Sequence, residues 1–105
     1  MVVSLDYLFE EVEKIAEGWG IVKEENAPMQ MCKVTEEVGE VAQAICKDNI
    51  ELLEDGIGDA FVTLIILAKQ KGLSPARCLE VAVDEIKHRK GKTINGSFVK
   101  EADLK

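Results

Sequence analysis

Glu51-Leu52-Leu53-Glu54-Asp55-Gly56-Ile57-Gly58-Asp59-Ala60-Phe61-Val62 opens a helix whose two sides carry different chemistry. On a 3.6-residue period, Ile50, Leu53, Ile57, Phe61, Leu64 and Ala68 make its main apolar face. Asp55 and Asp59 fall on the opposite side, in one column with Val62 and Ile66. Beyond Asp59 the helix is apolar nearly all round, so burial on both sides is expected. A buried, unpaired carboxylate costs on the order of several kcal/mol or shifts its pKa to stay neutral. Several such acids facing one another repel unless a divalent cation sits between them. The stretch therefore points to a metal site in an all-α protein.

The partner segment is Lys33-Val34-Thr35-Glu36-Glu37-Val38-Gly39-Glu40. Val34, Val38, Val41 and Ile45 form a helical stripe with Ala42 beside it. Glu37 lies at the edge of that stripe, Glu40 one turn on along the same flank, and Glu36 nearer solvent. Lys47-Asp48-Asn49 is a short connection, with Asp48 or Asn49 as the next helix cap, and a short link favours antiparallel neighbours. Glu37 and Glu40 then face Asp55 and Asp59 across a helix spacing of about 8–10 Å. Carboxylate-rich, histidine-free ligation suits Mg2+ or Mn2+, which prefer oxygen donors and often bind substrate phosphates too. Gly56 and Gly58 weaken the helix by about 1 kcal/mol each relative to Ala. Close approach of a backbone or ligand explains them, as does a kink.

At 105 residues, 47% hydrophobic and 31% charged, the chain reads as a single globular domain, 1–105. A helix apolar on both faces in so small a chain needs cover from four helices or from another subunit, so a homo-oligomer is expected. The formal charge of -7 argues against nucleic acid as a partner. Cys32, Cys46 and Cys78 lack metal-ligand spacing and read as buried free thiols. Met-Val-Val-Ser-Leu-Asp carries no leader signature, and no apolar run reaches the roughly 20 residues a membrane span needs. The expected compartment is the cytoplasm.

Four helices follow from the remaining punctuation. Ser4 caps a first helix carrying Leu5, Leu8, Phe9, Val12, Ile15 and Ala16, which ends at Gly18-Trp19-Gly20. Asn26 is the expected cap of the second, with Pro28 in its first turn. The third closes at Lys69 to Gly72, and Ser74-Pro75 starts the fourth, with Leu79, Ala82, Val83 and Ile86 as its buried side. Asn95-Gly96 between short apolar pieces predicts a small hairpin, and Lys100 to Lys105 read as frayed. Lys87, Arg89 and Lys90, with Lys33, are candidate phosphate contacts. Trp19 is read as packing or base stacking, and Asn26 and Gln30 as candidate base-edge contacts.

With these residues in view, the chain resembles the MazG-like members of the all-α nucleoside triphosphate pyrophosphohydrolases. The likeness runs from about Asn26 to Lys90, and the tail from Arg89 to Val99 looks like that of small phage or prophage-type members. The family's mark is ExxE followed, after a spacer, by ExxD. Glu37 and Glu40 match the first half and Asp59 the final Asp. Gly56 stands where the second Glu belongs, and Asp55 is the nearest substitute. The resemblance implies a four-helix bundle that forms a homodimer or homotetramer and hydrolyses (deoxy)nucleoside triphosphates to monophosphate and pyrophosphate, in a house-cleaning or nucleotide-pool role. It implies Mg2+ at Glu37, Glu40, Asp55 and Asp59, with Glu36 as candidate base. The alternative is a non-catalytic helical oligomeric interaction module with a decayed metal site, which Gly56 favours.

Overall fold

The computed structural model describes residues 3–104. The expectation of no leader falls partly on Met1 and Val2, and the frayed end partly on Lys105; these lie outside the described residues. Helix α1 spans Leu5–Gly18, α2 Ala27–Cys46, α3 Ile50–Gln70 and α4 Pro75–Lys87. A two-stranded antiparallel hairpin follows, β1 Gly91–Ile94 and β2 Ser97–Lys100. Single 3-10 turns occupy Glu24–Asn26 and Glu101–Asp103, so the end expected to fray is ordered through Asp103.

Local chemistry sets most boundaries. Ser4 Oγ, Asn49 Oδ1 and Ser74 Oγ each accept the backbone N–H three residues on, at 3.0, 3.0 and 3.2 Å, capping α1, α3 and α4. Gly72, at φ +72, closes α3. There the N–H groups of Leu73 and Gly72 reach back to the carbonyls of Ala68 and Lys69. Asn95 and Gly96, both at positive φ, make the hairpin turn. Asn26 departs from expectation: it makes no cap bond to α2, and its Nδ2 donates to the Ile21 carbonyl at 3.1 Å. That bond stitches the preceding loop instead.

The core lies between antiparallel α2 and α3, and the faces that meet there are not those the apolar stripes suggest. On α2, Ala27, Gln30, Val34 and Ala44 are buried, with Glu37 and Val41 half-buried between them. On α3, Gly56, Ile65, Ile66 and Gln70 are buried, with Ala60 and Thr63 half-buried. Small side chains bring the two helices close: a Cβ on Gly56 would lie 3.3 Å from Val41 Cγ2. Gly56 thus marks a close helix contact, whereas nothing lies within 4 Å of a Cβ at Gly58. Two amides are drawn into the seam. Gln30 Nε2 donates to the Thr63 carbonyl at 3.1 Å, and Gln70 Nε2 to the Ile21 carbonyl at 2.9 Å.

The larger apolar residues are left on the outside of the chain. Ile57, Phe61 and Leu64 on α3, Val38 and Ile45 on α2, and Leu79, Val83 and Ile86 on α4 are exposed. α4 has no buried residue. The expectation that α3 is buried on both sides, and α4 on one, is therefore not met within a single chain. The thiols of Cys32, Cys46 and Cys78 are free as expected but exposed rather than buried.

Candidate metal and phosphate site

The shifted helix faces move Glu37 from the edge of a stripe to its middle. Its Oε2 is buried and has no hydrogen-bond partner. Burial first, then the charges and hydrogen bonding of Glu40, then Asp59 and Glu36, raise its carboxyl above the usual 4.5. Glu37, Glu40, Glu36 and Asp59 therefore form one electrostatic neighbourhood spanning α2 and α3. Every charge that moves Glu37 is a carboxylate, and Asp55, on the turn before Asp59, is not among them. A buried oxygen without a partner amid further carboxylates is the environment in which a cation stabilises most.

The donor set is all oxygen and contains no histidine or thiolate, so it fits a hard divalent ion. Among the described residues, no three His, Cys, Asp or Glu side chains converge closely enough to chelate an ion as they stand. Glu36, Glu40 and Asp59 are exposed, so their side chains have room to turn toward Glu37 Oε2. Glu36 is 3.9 Å from Lys33 Nζ, an exposed pair one helical turn apart, and such pairs hold weakly. A depression of about 400 Å3 lies beside them, lined by Cys32, Thr35, Glu36, Gly39 and Glu40. A larger one, about 740 Å3 between α1 and α4, includes neither Glu37 nor Asp59 in its walls; its acids Asp6, Glu80 and Asp84 share it with Arg77 and Lys87.

Other sequence candidates lie apart from this cluster. Gln30 is buried and its amide N–H is committed to Thr63; it pins the helix seam rather than presenting an edge to a base. Asn26 Nδ2 is similarly committed to Ile21. Trp19 is the C-cap of α1 and 65% exposed, so it is not packed within the chain. Its loop is held at the C-terminal end of α3 by Gln70 and by Lys71, whose Nζ is 2.9 Å from Glu24. That end lies roughly 16 Å along the helix from Asp59. Gln70 went unnoticed in the sequence, although a polar side chain ending the Ile65-Ile66-Leu67-Ala68 run was its signal.

Lys87 ends α4, and Arg89 and Lys90 follow before the hairpin. Arg89 pairs with Glu85 at 2.8 Å, and His88 Nδ1 meets the Asp84 carbonyl at 2.9 Å at the end of the helix. α4 rests on α3 and α1, while α2 packs on α3 and on the turn before it. The basic segment is thus built onto a different side of the molecule from α2.

Acids distributed over two antiparallel helices of an all-α chain define the class as a helical, carboxylate-based protein without histidine ligation. Residues 25–94 match the model of the MazG nucleotide pyrophosphohydrolase domain, and the chain belongs to that family. Its members are pyrophosphohydrolase-type hydrolases that generally depend on a divalent metal. A phage relative, the "Uncharacterized 18.2 kDa protein in rep-hol intergenic region" of Haemophilus phage HP1 (strain HP1c1), is 36% identical over 67 residues. The match takes in 64% of this chain and 41% of that protein, so the chain spans less than half of the relative's length. No solved structure matches.

Among the described residues, no helix is long and apolar enough to cross a membrane.

Proposed function

We propose that the chain is a single-domain, Mg2+-dependent pyrophosphohydrolase that cleaves (deoxy)nucleoside triphosphates to monophosphate and pyrophosphate, with Mn2+ able to substitute. The observation that carries this reading is the buried, unpartnered Glu37 Oε2 among acids from two helices. Glu37, Glu40 and Asp59 hold the ion, with Asp55 as the reserve ligand on α3. When bound, the ion supplies positive charge that offsets the triphosphate and acidifies nearby water. Glu36 takes the proton from a water that adds across the α–β anhydride, and the bond to the departing pyrophosphate breaks. Lys33, Lys87, Arg89 and Lys90 hold phosphate charge as it develops. Trp19 stacks on the base. A house-cleaning role in the cytoplasm, as a homo-oligomer, follows from this activity and from the exposed apolar surface.

The test is a panel of standard and modified nucleoside triphosphates with Mg2+, resolved by product. Monophosphate plus pyrophosphate in equal amounts supports the reading. Release of orthophosphate, or no turnover of any nucleotide by the folded protein, counts against it.

Gly56 supports a second reading, a non-catalytic interaction module. The family pattern places Glu there, whereas here the position is packed against Val41. Calorimetry with Mg2+ or Mn2+ in the presence of nucleotide separates the two, because a decayed site binds no metal.

A further inference from the structure

The formal charge of -7 averages over two unlike regions. Lys87, Arg89, Lys90, Lys92 and Lys100 are five of the thirteen basic residues, and none of the twenty acids lies between positions 87 and 100. That segment therefore carries +5 and the rest of the chain -12. It comprises the last residue of α4, the link after it and the β1–β2 hairpin. Among the described residues, Lys87, Lys90, Lys92 and Lys100 make no ion pair. Arg89 pairs with Glu85, an exposed residue one turn back, and such pairs yield readily.

An aromatic ring stands among these charges. In the hairpin register Thr93 lies opposite Phe98 and Gly91 opposite Lys100, so these four share one face of the ribbon. The Phe98 ring takes the space that a side chain at position 91 would need: a Cβ on Gly91 would lie 2.7 Å from Phe98 Cζ. There Phe98, Val83, Ile86, Lys87 and Arg89 line a hollow of about 440 Å3, room enough for one small ligand unit. Phe98 stays 52% exposed. Lysines alone on a short hairpin serve to keep an open strand edge from pairing. An exposed phenylalanine among them works against that purpose and points to a ligand with both charge and a flat apolar face. Single-stranded nucleic acid has both, as phosphates along its backbone and bases free to stack on an aromatic ring. A duplex keeps its bases stacked on one another, and an acidic polypeptide carries charge without a flat face at each unit.

We propose that the end of α4 and the hairpin bind single-stranded nucleic acid, with a base stacked on Phe98 in the hollow and phosphates on Lys87, Arg89 and Lys100. Lys90 and Lys92 add to the local positive potential that draws the strand in. Lys87 and Arg89 are also phosphate contacts in the hydrolase reading, whereas Lys100 and Phe98 are not. The segment is built onto a different side of the molecule from α2, so a strand bound there is held apart from the acids around Glu37. Strand binding of this kind needs no metal ion.

The test is fluorescence anisotropy of the full chain with a labelled oligothymidine of about 20 nucleotides, longer than one usual site, in the presence of EDTA. Binding with a Kd on the order of 10 µM is expected at low salt, with log K falling against log[NaCl] at a slope of about -2 for three phosphates. Lys100→Ala should reduce that slope by about 0.7. Phe98→Leu, which keeps the apolar packing, should weaken binding roughly tenfold at unchanged slope, and Phe98→Tyr should not. No binding by wild type at low salt overturns the proposal, as does an unchanged slope in Lys100→Ala. Equal affinity for a duplex of the same length, or equal competition by polyglutamate, also overturns it, because the segment would then be a general anion patch. Strand binding by a protein that hydrolyses no nucleotide upholds the proposal and defeats the hydrolase reading alone. Hydrolysis without strand binding does the reverse.

Discussion

Restoring the acid that the family pattern carries at position 56 should damage this protein rather than improve it. A Cβ there already meets Val41 Cγ2 at 3.3 Å, and Val41 Cα and N lie at 3.7 and 3.8 Å. Gly56→Glu gains helix propensity of about 0.5–1 kcal/mol. Against that, overpacking a close helix contact costs about 1–3 kcal/mol. Burying part of a carboxylate without a partner adds about 1–3 kcal/mol. The net expectation is a loss of about 2–4 kcal/mol, or a fall in Tm of roughly 10–25 °C. Urea and thermal unfolding followed by circular dichroism at 222 nm, without metal, measure it. Added Mg2+ should recover little, because the side chain is held in the helix seam. A metal-free variant as stable as wild type would refute the claim that Val41 fills this space.

Three further outcomes follow from the same packing and charges. Glu37→Gln should raise metal-free stability at neutral pH. The wild-type carboxyl sits above its usual 4.5, so its relative stabilisation is complete below that value and is lost as pH rises through the elevated one. The urea midpoint of wild type should therefore drop across that window and that of the variant should not. Gly58→Ala, with open space around its Cβ, should gain about 0.5–1 kcal/mol by the same unfolding assay. Ser74→Ala removes the bond to the Arg77 N–H and should cost about 1 kcal/mol; an unchanged midpoint would show that α4 does not need its cap.

Caps and turns were readable in the sequence because they depend on neighbours three or four residues away. Ser4, Asn49, Ser74-Pro75, Gly72 and Asn95-Gly96 all act where their chemistry placed them. The faces of α2 and α3 were not readable. Both helices are apolar on more than one side, so periodicity finds the largest residues, whereas the buried seam mixes Gly56 and alanines with Val34, Ile65, Ile66 and two glutamines. Gly56 against Val41, with Ala44 and Ala60 nearby in the two helix faces, was the available signal, and it was ambiguous between contact and kink. The consequence for the site was a rotation: Glu37 became a central, half-buried acid, and Gln30 became a seam pin. That Glu40 and Asp59 would lie near enough to act on Glu37 was legible, because the short Lys47-Asp48-Asn49 link forces the two helices side by side. The relation of Lys87 to those acids was not legible, since it depends on how α4 leans on α1 and α3.

The claim beneath all of this is that acids from α2 and α3 turn toward one divalent ion. Mn2+ titration by electron paramagnetic resonance, with a non-hydrolysable nucleotide present, addresses it without requiring turnover. Wild type should remove Mn2+ from solution saturably, while Asp59→Asn and Glu37→Gln, both folded, should lose that binding. Equal binding by all three proteins, or none by wild type, would contradict the account.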